Sequence, residues 1–338
     1  MAGAFSTTVT SAAWRSEVAA WTEDALARRG VRVLVPADQT RVRPWSTQLV
    51  LETDAGRAWF KAGCRAAAHE PALQRLLAEI APDQVDAPLA VEAARGWMLT
   101  ADRGATLRER RDPSTADWAA VLVRFARLQQ DVAERRDELL ATGLPDCSPG
   151  TLPGRFDAVL DHLRTLPPGH PVRLDETTAA ALDRARPAVR AAADLLAAGP
   201  LPATLQHGDL HPGNVFETGG ALRVFDLGDA QWAHPLEVLE VSSAVARDAG
   251  VAWAPVEAAY RSSWEAWLAA RGLPGFDDGA TGGEGAGWDG LRRAAGTVHA
   301  VNRAWAWCGA LAEATDAEWA DWGEAPGRHL SGVLRRQA

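Results

Sequence analysis

The sequence predicts an α+β protein of two lobes: a small N-terminal lobe of antiparallel strands with one main helix, and a large, mostly helical C-terminal lobe. Three observations carry this. Short extended runs of apolar residues crowd positions 31–100. Helical periodicity dominates from residue 115 onward. One extended stretch, 204–227, interrupts those helices. The lobes divide into 1–102 and 103–338, with a hinge near 100–104. A length of 338 residues with 47% hydrophobic and 23% charged side chains suits two such lobes.

Each element has its own signal. Trp14, Val18, Ala19, Trp21 and Leu26 recur at helical spacing over 11–29, and Gly30 stops the run. Extended segments follow at 31–35, 48–52 and 57–61, the last two joined as a hairpin by Asp54-Ala55-Gly56. A helix is expected over 67–80, with Pro71 in its first turn, where a missing N–H costs little. Strands at 88–92 and 96–100 complete the lobe. The C-terminal lobe reads as helices 115–134, 155–165, 175–198, 236–249, 256–271, 287–311 and 317–336. Linkers fall at 143–154 and at the Gly/Asp-rich 272–287.

Composition narrows the function. Net charge is −9 with no dense basic tract, which speaks against nucleic acid as a partner. No run of 18 apolar residues and no signal segment occurs, so a cytoplasmic protein without a membrane partner is expected. Three cysteines without CxxC spacing argue against a disulfide framework. Oligomeric state is not legible. Lys61 is the sole lysine against 34 arginines. A chain rich in Ala, Gly, Arg and Pro reads as GC-rich coding, which favours arginine without regard to chemistry. A site that needs a compact ammonium keeps its lysine, because a guanidinium is a larger planar fork.

The interruption reads "HGDLHPGNVFETGGALRVFDLGDAQWAHP". Val215-Phe216 and the run 222–225 alternate as a hairpin around Gly219-Gly220. His207, Asp209, His211 and Asn214 precede the ribbon; Asp226, Gly228 and Asp229 follow it. Asp209, Asn214 and Asp226 thus bring hard oxygen donors to one mouth, a set suited to Mg²⁺ together with substrate phosphates. Lys61 ends a strand, and Glu70 on the next helix is placed to hold its ammonium. His207 and His211 read as scaffold residues. They could instead be ligands of a metal-dependent hydrolase, with His234 as the nearest further histidine. Gly208, Pro212 and Gly213 oppose the helix that this spacing needs. A nucleotide-binding pseudoenzyme is a third reading, and it would be expected to lack one of these groups.

The segment "HGDLHPGNV…VFDLGDA" resembles the aminoglycoside phosphotransferase family, small-molecule kinases of the protein-kinase-like bilobal fold. "WSTQLVLETDAGRAWFKAG", "HEPALQRLLAEI" and "GWMLTADRGATLRE" are similar to that family's N-lobe and hinge, so the resemblance spans residues 31 to 240. It implies ATP and Mg²⁺ as cofactors, Asp209 as catalytic base, Asn214 and Asp226 as metal ligands, and Lys61 with Glu70 as the phosphate-positioning pair. Ser46 and Thr47 would donate to the phosphates from a loop without the Gly-rich pattern. Thr100, Ala101 and Asp102 would carry the adenine-facing backbone, and Gly228 belongs to an Asp-Leu-Gly motif.

Too few residues separate Asp226 from the next helix for an activation segment, so the acceptor is expected to be a small molecule with a free hydroxyl. Trp305, Trp307, Trp319 and Trp322 interleave with Glu313, Asp316, Glu318, Asp321 and Glu324. That pattern suits an amino sugar or another ammonium-bearing acceptor such as an aminoglycoside. Gln231, Trp232 and His234 are also expected to line the acceptor pocket. Choline-like, homoserine-like and macrolide acceptors remain open.

Overall fold

The structure, a computed structural model, describes residues 3–170, 172–276 and 287–336. The linker expected at 272–287 falls largely outside the described residues. Five antiparallel strands form the N-terminal sheet: β1 (Asp38–Val42), β2 (Ser46–Thr53), β3 (Gly56–Gly63), β4 (Ala90–Glu92) and β5 (Trp97–Ala101), in the order β1-β2-β3-β5-β4. β2 and β3 pair along their whole length, from Ser46↔Gly63 to Thr53↔Gly56, through the expected hairpin. One sheet face buries Leu49, Leu51, Phe60, Trp97 and Leu99 against Val18, Ala25 and Leu26 of the helix Ala12–Ala27. Trp14 and Trp21 each set an edge against Phe60 with centroids 5.9 Å apart. Side chains alternate along a strand, so the Phe60 that anchors this core forces Lys61 onto the opposite face.

The segment 31–35 is not a strand. Val33 makes one isolated rung with Thr53. Val31 and Val33 pack at the margin of the sheet core, while Leu34 and Val35 are 57% and 51% exposed. The missing strand is β1, whose polar sequence Asp-Gln-Thr-Arg-Val carries no apolar alternation and pairs on one edge alone. The N-lobe helix begins at Glu70, after a tight turn over Arg65–Ala67, and runs to Ile80.

In the C-terminal lobe, helices Thr115–Val132, Leu152–Thr165, Glu176–Ala198, Val238–Asp248, Trp253–Ala270 and Trp288–Ala310 lie close to their expected bounds. Ser114 and Asp117 close a reciprocal capping box at the first of them, and Asp175 caps the third by accepting from Thr178 N–H. The helix expected over 317–336 is two helices, Asp316–Trp322 and Glu324–Arg335. Pro326 lacks an N–H and its ring opposes the carbonyl four residues back, at Trp322, so the chain breaks at Gly323. Leu107–Arg110 and Arg136–Leu140 are further helices too short to show a period. Two small ribbons complete the lobe: β6 (Thr204–Gln206) with β9 (Gln231–Ala233), and β7 (Val215–Thr218) with β8 (Ala221–Val224). Among the described residues, no helix is long and apolar enough to cross a membrane.

Trp288–Ala310 runs behind the ribbons and ties to them through a buried acid. Asn302 Nδ2 donates to Glu237 Oε2 at 2.9 Å, His234 N–H donates to Glu237 Oε1 at 3.1 Å, and Arg155 Nη1 donates to Asn302 Oδ1 at 3.0 Å. Burial pushes the Glu237 carboxyl up to about 8, against the lowering effect of those donors. The folded protein therefore keeps a proton that the unfolded chain, at its ordinary 4.5, releases. That contribution to stability is complete below the unfolded value and is lost as pH rises toward the folded one. Urea denaturation of Glu237→Gln should show a flatter fall in stability between about pH 5 and 8 than the parent does.

Candidate active site

Lys61 Nζ donates to Glu70 Oε1 at 2.7 Å and to Asp226 Oδ1 at 2.5 Å. Glu70, 2% exposed at the first turn of its helix, also accepts from Leu227 N–H at 3.0 Å. An acid suits that end of the helix dipole. Burial pushes the Lys61 ammonium down, yet the Asp226 and Glu70 carboxylates outweigh it and hold the group charged well above its usual range. Burial also raises Glu70, more than Lys61 lowers it. For Asp226, burial is overcome by Lys61 and then Arg41, and its carboxyl falls to about 2. The lone lysine thus bridges the lobes through two acids.

The loop that carries His207, Asp209 and His211 follows β6. Gly208 has φ +83°, and a Cβ there would run into the Asp229 backbone, so glycine alone fits. His207 is fully buried; its Nε2–H donates to Phe225 O at 3.0 Å and its Nδ1 accepts from Asp209 N–H at 3.4 Å. Burial lowers its pKa, so it is neutral. His211 Nδ1 accepts from Gly213 N–H at 2.9 Å, and its Nε2 stands 3.6 Å from Asp209 Oδ2. These engagements are those of scaffold residues. Among the described residues, no group of three His, Cys, Asp or Glu is arranged to hold a metal.

Asp209 is raised by burial and pulled below its ordinary value by His211, Arg303 and His207, so it stands ionised. Asn214 Nδ2 donates to Asp209 O at 2.8 Å. With its nitrogen committed, Asn214 has an amide oxygen left to offer. Asp226 is the one described non-glycine residue at positive φ, +63°, a conformation that costs energy and persists where surroundings over-determine it. The Asn214 oxygen and the ionised Asp226 carboxylate fit a hard divalent cation that completes its shell with phosphate oxygens and water.

Two cavities meet at this point. One, of about 370 Å³, is lined by Thr100, Ala101, Asp102, Asn214 and the stacked pair Phe216 and Phe225, whose rings lie 4.1 Å apart at 15°. The other, of about 400 Å³, is lined by Asp209, Gly228, Asp229, Gln231, Arg303 and Trp305. Arg41, Lys61, Glu70 and Asp226 line both. The groups singled out for phosphate chemistry therefore stand on a shared wall, with Asn214 on one side and Asp209 on the other.

Several expected residues lie elsewhere. Thr47 is fully buried and its hydroxyl donates to Arg41 O at 2.8 Å, so it holds the β1–β2 turn instead of facing a phosphate. Ser46 lines the larger cavity and not the smaller; Gln48, two residues further along the same face of β2 and opposite Arg41, lines the smaller one. Trp232 and His234 are buried in the C-terminal core; His234 Nδ1 accepts from Leu236 N–H at 3.3 Å. Glu313 is absent from the cavity wall, and its carbonyl instead accepts from Phe5 N–H. Asp316, Glu318, Asp321 and Glu324 are likewise off that wall.

In their place the wall carries Arg41, His69 and Arg303, which sequence reasoning did not assign, together with Trp45 and Asp229. Burial pushes His69 down to about 4, leaving it neutral. Trp45 stands edge-on to Trp307 and Trp322, at 5.3 and 5.0 Å.

A strand-borne lysine held by a helix-borne glutamate, facing an aspartate–asparagine–aspartate loop across a cleft, defines a phosphotransferase of the protein-kinase-like fold. The family model described as the phosphotransferase enzyme family matches residues 17–273, and the chain belongs to that family. A search of curated protein sequences gives no significant match. Among solved structures, the chain is similar to a macrolide 2′-phosphotransferase from Brachybacterium faecium, at 16% identity over 95% of this chain and 97% of that one, TM-score 0.52. It is similar to a choline/ethanolamine kinase family protein from Mesorhizobium loti, at 17% identity over 96% and 100%, TM-score 0.52. A thermostable aminoglycoside phosphotransferase in complex with ADP and hygromycin B matches at 14% identity over 94% and 98%, TM-score 0.50. At these identities the likeness shows the fold.

Proposed function

We propose that the protein transfers the γ-phosphoryl group of ATP to a hydroxyl of a small molecule in the cytoplasm, with Mg²⁺ as cofactor. One observation carries the reading: the two cavities share Lys61, Glu70 and Asp226, with Asp209 on the larger side and Asn214 on the smaller. The smaller cavity takes the nucleotide, its base between the 100–102 backbone and the Phe216–Phe225 stack. Lys61, fixed by Glu70, meets the phosphates. Asn214 and Asp226 would hold Mg²⁺, which when bound neutralises charge on the phosphates. Asp209 takes the proton of the acceptor hydroxyl as its oxygen bonds the γ-phosphorus and ADP leaves. The acidic surface expected for an amino sugar is not part of the larger cavity. Its volume of about 400 Å³ favours a metabolite-sized acceptor.

A coupled ADP-release assay over hydroxylated acceptors tests this. ADP release that needs both an acceptor and a divalent cation is expected. Zn²⁺-dependent ester hydrolysis without ATP would replace it with the hydrolase reading, and tight ATP binding without transfer would replace it with the pseudoenzyme.

A further inference from the structure

The larger cavity has an arginine whose chemistry the phosphotransfer reading leaves unused. Arg303 projects from the helix Trp288–Ala310 and is 7% exposed. Among the described residues its guanidinium makes no hydrogen bond, and its Nε and Nη1 are shut off from solvent. Among the described residues its one ion-pair partner is Asp229, whose Oδ2 lies 3.2 Å from Nη1. Trp307 lies beneath it, with Cζ 6.0 Å from the ring centroid. A guanidinium has five donors in a rigid fork, and desolvating them unpaired is costly. Asp229 compensates the charge without filling the fork.

The surroundings narrow what completes it. Asp209 feels Arg303 as one of the charges that keep it ionised, so the guanidinium acts on the side of the cavity where the acceptor hydroxyl must lie. The other arginine of this wall, Arg41, lines the nucleotide side as well, and its Nε also lacks a hydrogen-bond partner. Trp45, Trp307 and Trp322 give the same cavity an apolar flank. An anionic acceptor of hydrogen bonds matches an under-paired guanidinium better than any amine does.

We propose that the acceptor of this enzyme carries a carboxylate that docks on Arg303, beside the hydroxyl that Asp209 receives. The substrate class is a hydroxy acid with an apolar body against the tryptophans, in place of an amino sugar. This rests on the phosphotransfer reading above.

The experiment uses paired probes: 4-hydroxybutanoate, homoserine, gluconate and 3-hydroxy-3-phenylpropanoate, each against its primary amide, with ethanolamine and glucosamine as cationic comparators. ADP release should favour at least one acid over its amide by about 30-fold or more in kcat/KM, the scale of a desolvated charge-assisted pair. Arg303→Gln should collapse that acid-to-amide ratio toward one, and Arg303→Lys should recover only part of it. Binding of the same acids, read by calorimetry without ATP, should fall in parallel, which covers a variant that folds but turns over poorly. Acids and amides used equally, a preference for the cationic comparators, or an unchanged ratio in Arg303→Gln would overturn the proposal. If ATP binds and is consumed with such acceptors, the kinase reading survives that result; if ATP does not bind, both fall.

Discussion

Asp209→Asn lowers kcat for phosphoryl transfer by about 10²- to 10⁴-fold, the usual contribution of a positioned base. It leaves the Kd for ATP within about twofold, since the cavity proposed for the nucleotide is the one that Asp209 does not line. The geometry separates the two effects. Asp209 lines the larger cavity, while the 100–102 backbone, Asn214 and the phenylalanine pair line the smaller. The substitution keeps the side chain's shape, and the Asn214 amide still finds the Asp209 backbone carbonyl. His211, Arg303 and His207 hold the Asp209 carboxyl below its ordinary range, so the base is ionised across neutral pH. The kcat/KM of the parent should therefore show no loss of base between about pH 6 and 8. Single-turnover kinetics with a fluorescent ATP displacement assay reads both quantities. Normal turnover, or loss of ATP binding with the turnover, would remove Asp209 from the acceptor side.

What could be read in the sequence was what is local in the chain. The β7–β8 ribbon announces itself through Gly219-Gly220 between alternating residues, and it fixes where Asp209, Asn214 and Asp226 sit relative to one another. Lys61 stood out because arginine dominates everywhere else. Arg41 and Arg303 were hidden by that same bias: two arginines among 34 carry no signal, and only packing shows which ones lack partners. Run 31–35 misled because β-branched apolar residues look like a strand whether or not a continuous ladder forms beside them, whereas β1 forms from polar residues held by its neighbour. Gln231, Trp305, Trp307 and Trp322 do line the larger cavity, and the expected acidic residues lie off it for a related reason. Glu313 to Glu324 look like an acidic site when read along the chain, but Glu313 sits in a loop, Pro326 breaks the helix that follows, and none of their carboxylates lines the cavity. Ligand-facing direction on a C-terminal helix depends on its rotation against the rest of the lobe, which no single helix encodes.

Lys61→Arg lowers kcat/KM for ATP by about 10²-fold or more, on the scale of one preorganised charge removed from a phosphoryl-transfer site. The charge is kept, so the loss comes from shape. Nζ fits a gap between Glu70 Oε1 at 2.7 Å and Asp226 Oδ1 at 2.5 Å, and a guanidinium fork cannot take both positions without moving the Glu70 helix or the Asp226 turn. Lys61→Met tests the other half. It leaves Glu70, nearly fully buried, without its cation, and an uncompensated buried charge costs about 3–5 kcal/mol. With Lys61 gone, burial raises Glu70 further, so this variant should lose more stability than the parent, whose Glu70 is already raised, as pH climbs above the ordinary carboxylate range. Adding Glu70→Gln should return most of that stability while leaving activity low, because the second change removes the stranded charge and restores nothing at the phosphates. Thermal denaturation across pH for the two single variants and the double variant separates the effects. If Lys61→Arg turned over ATP like the parent, arginine would serve at this position as it does at every other basic one, and the single lysine would be an accident of composition.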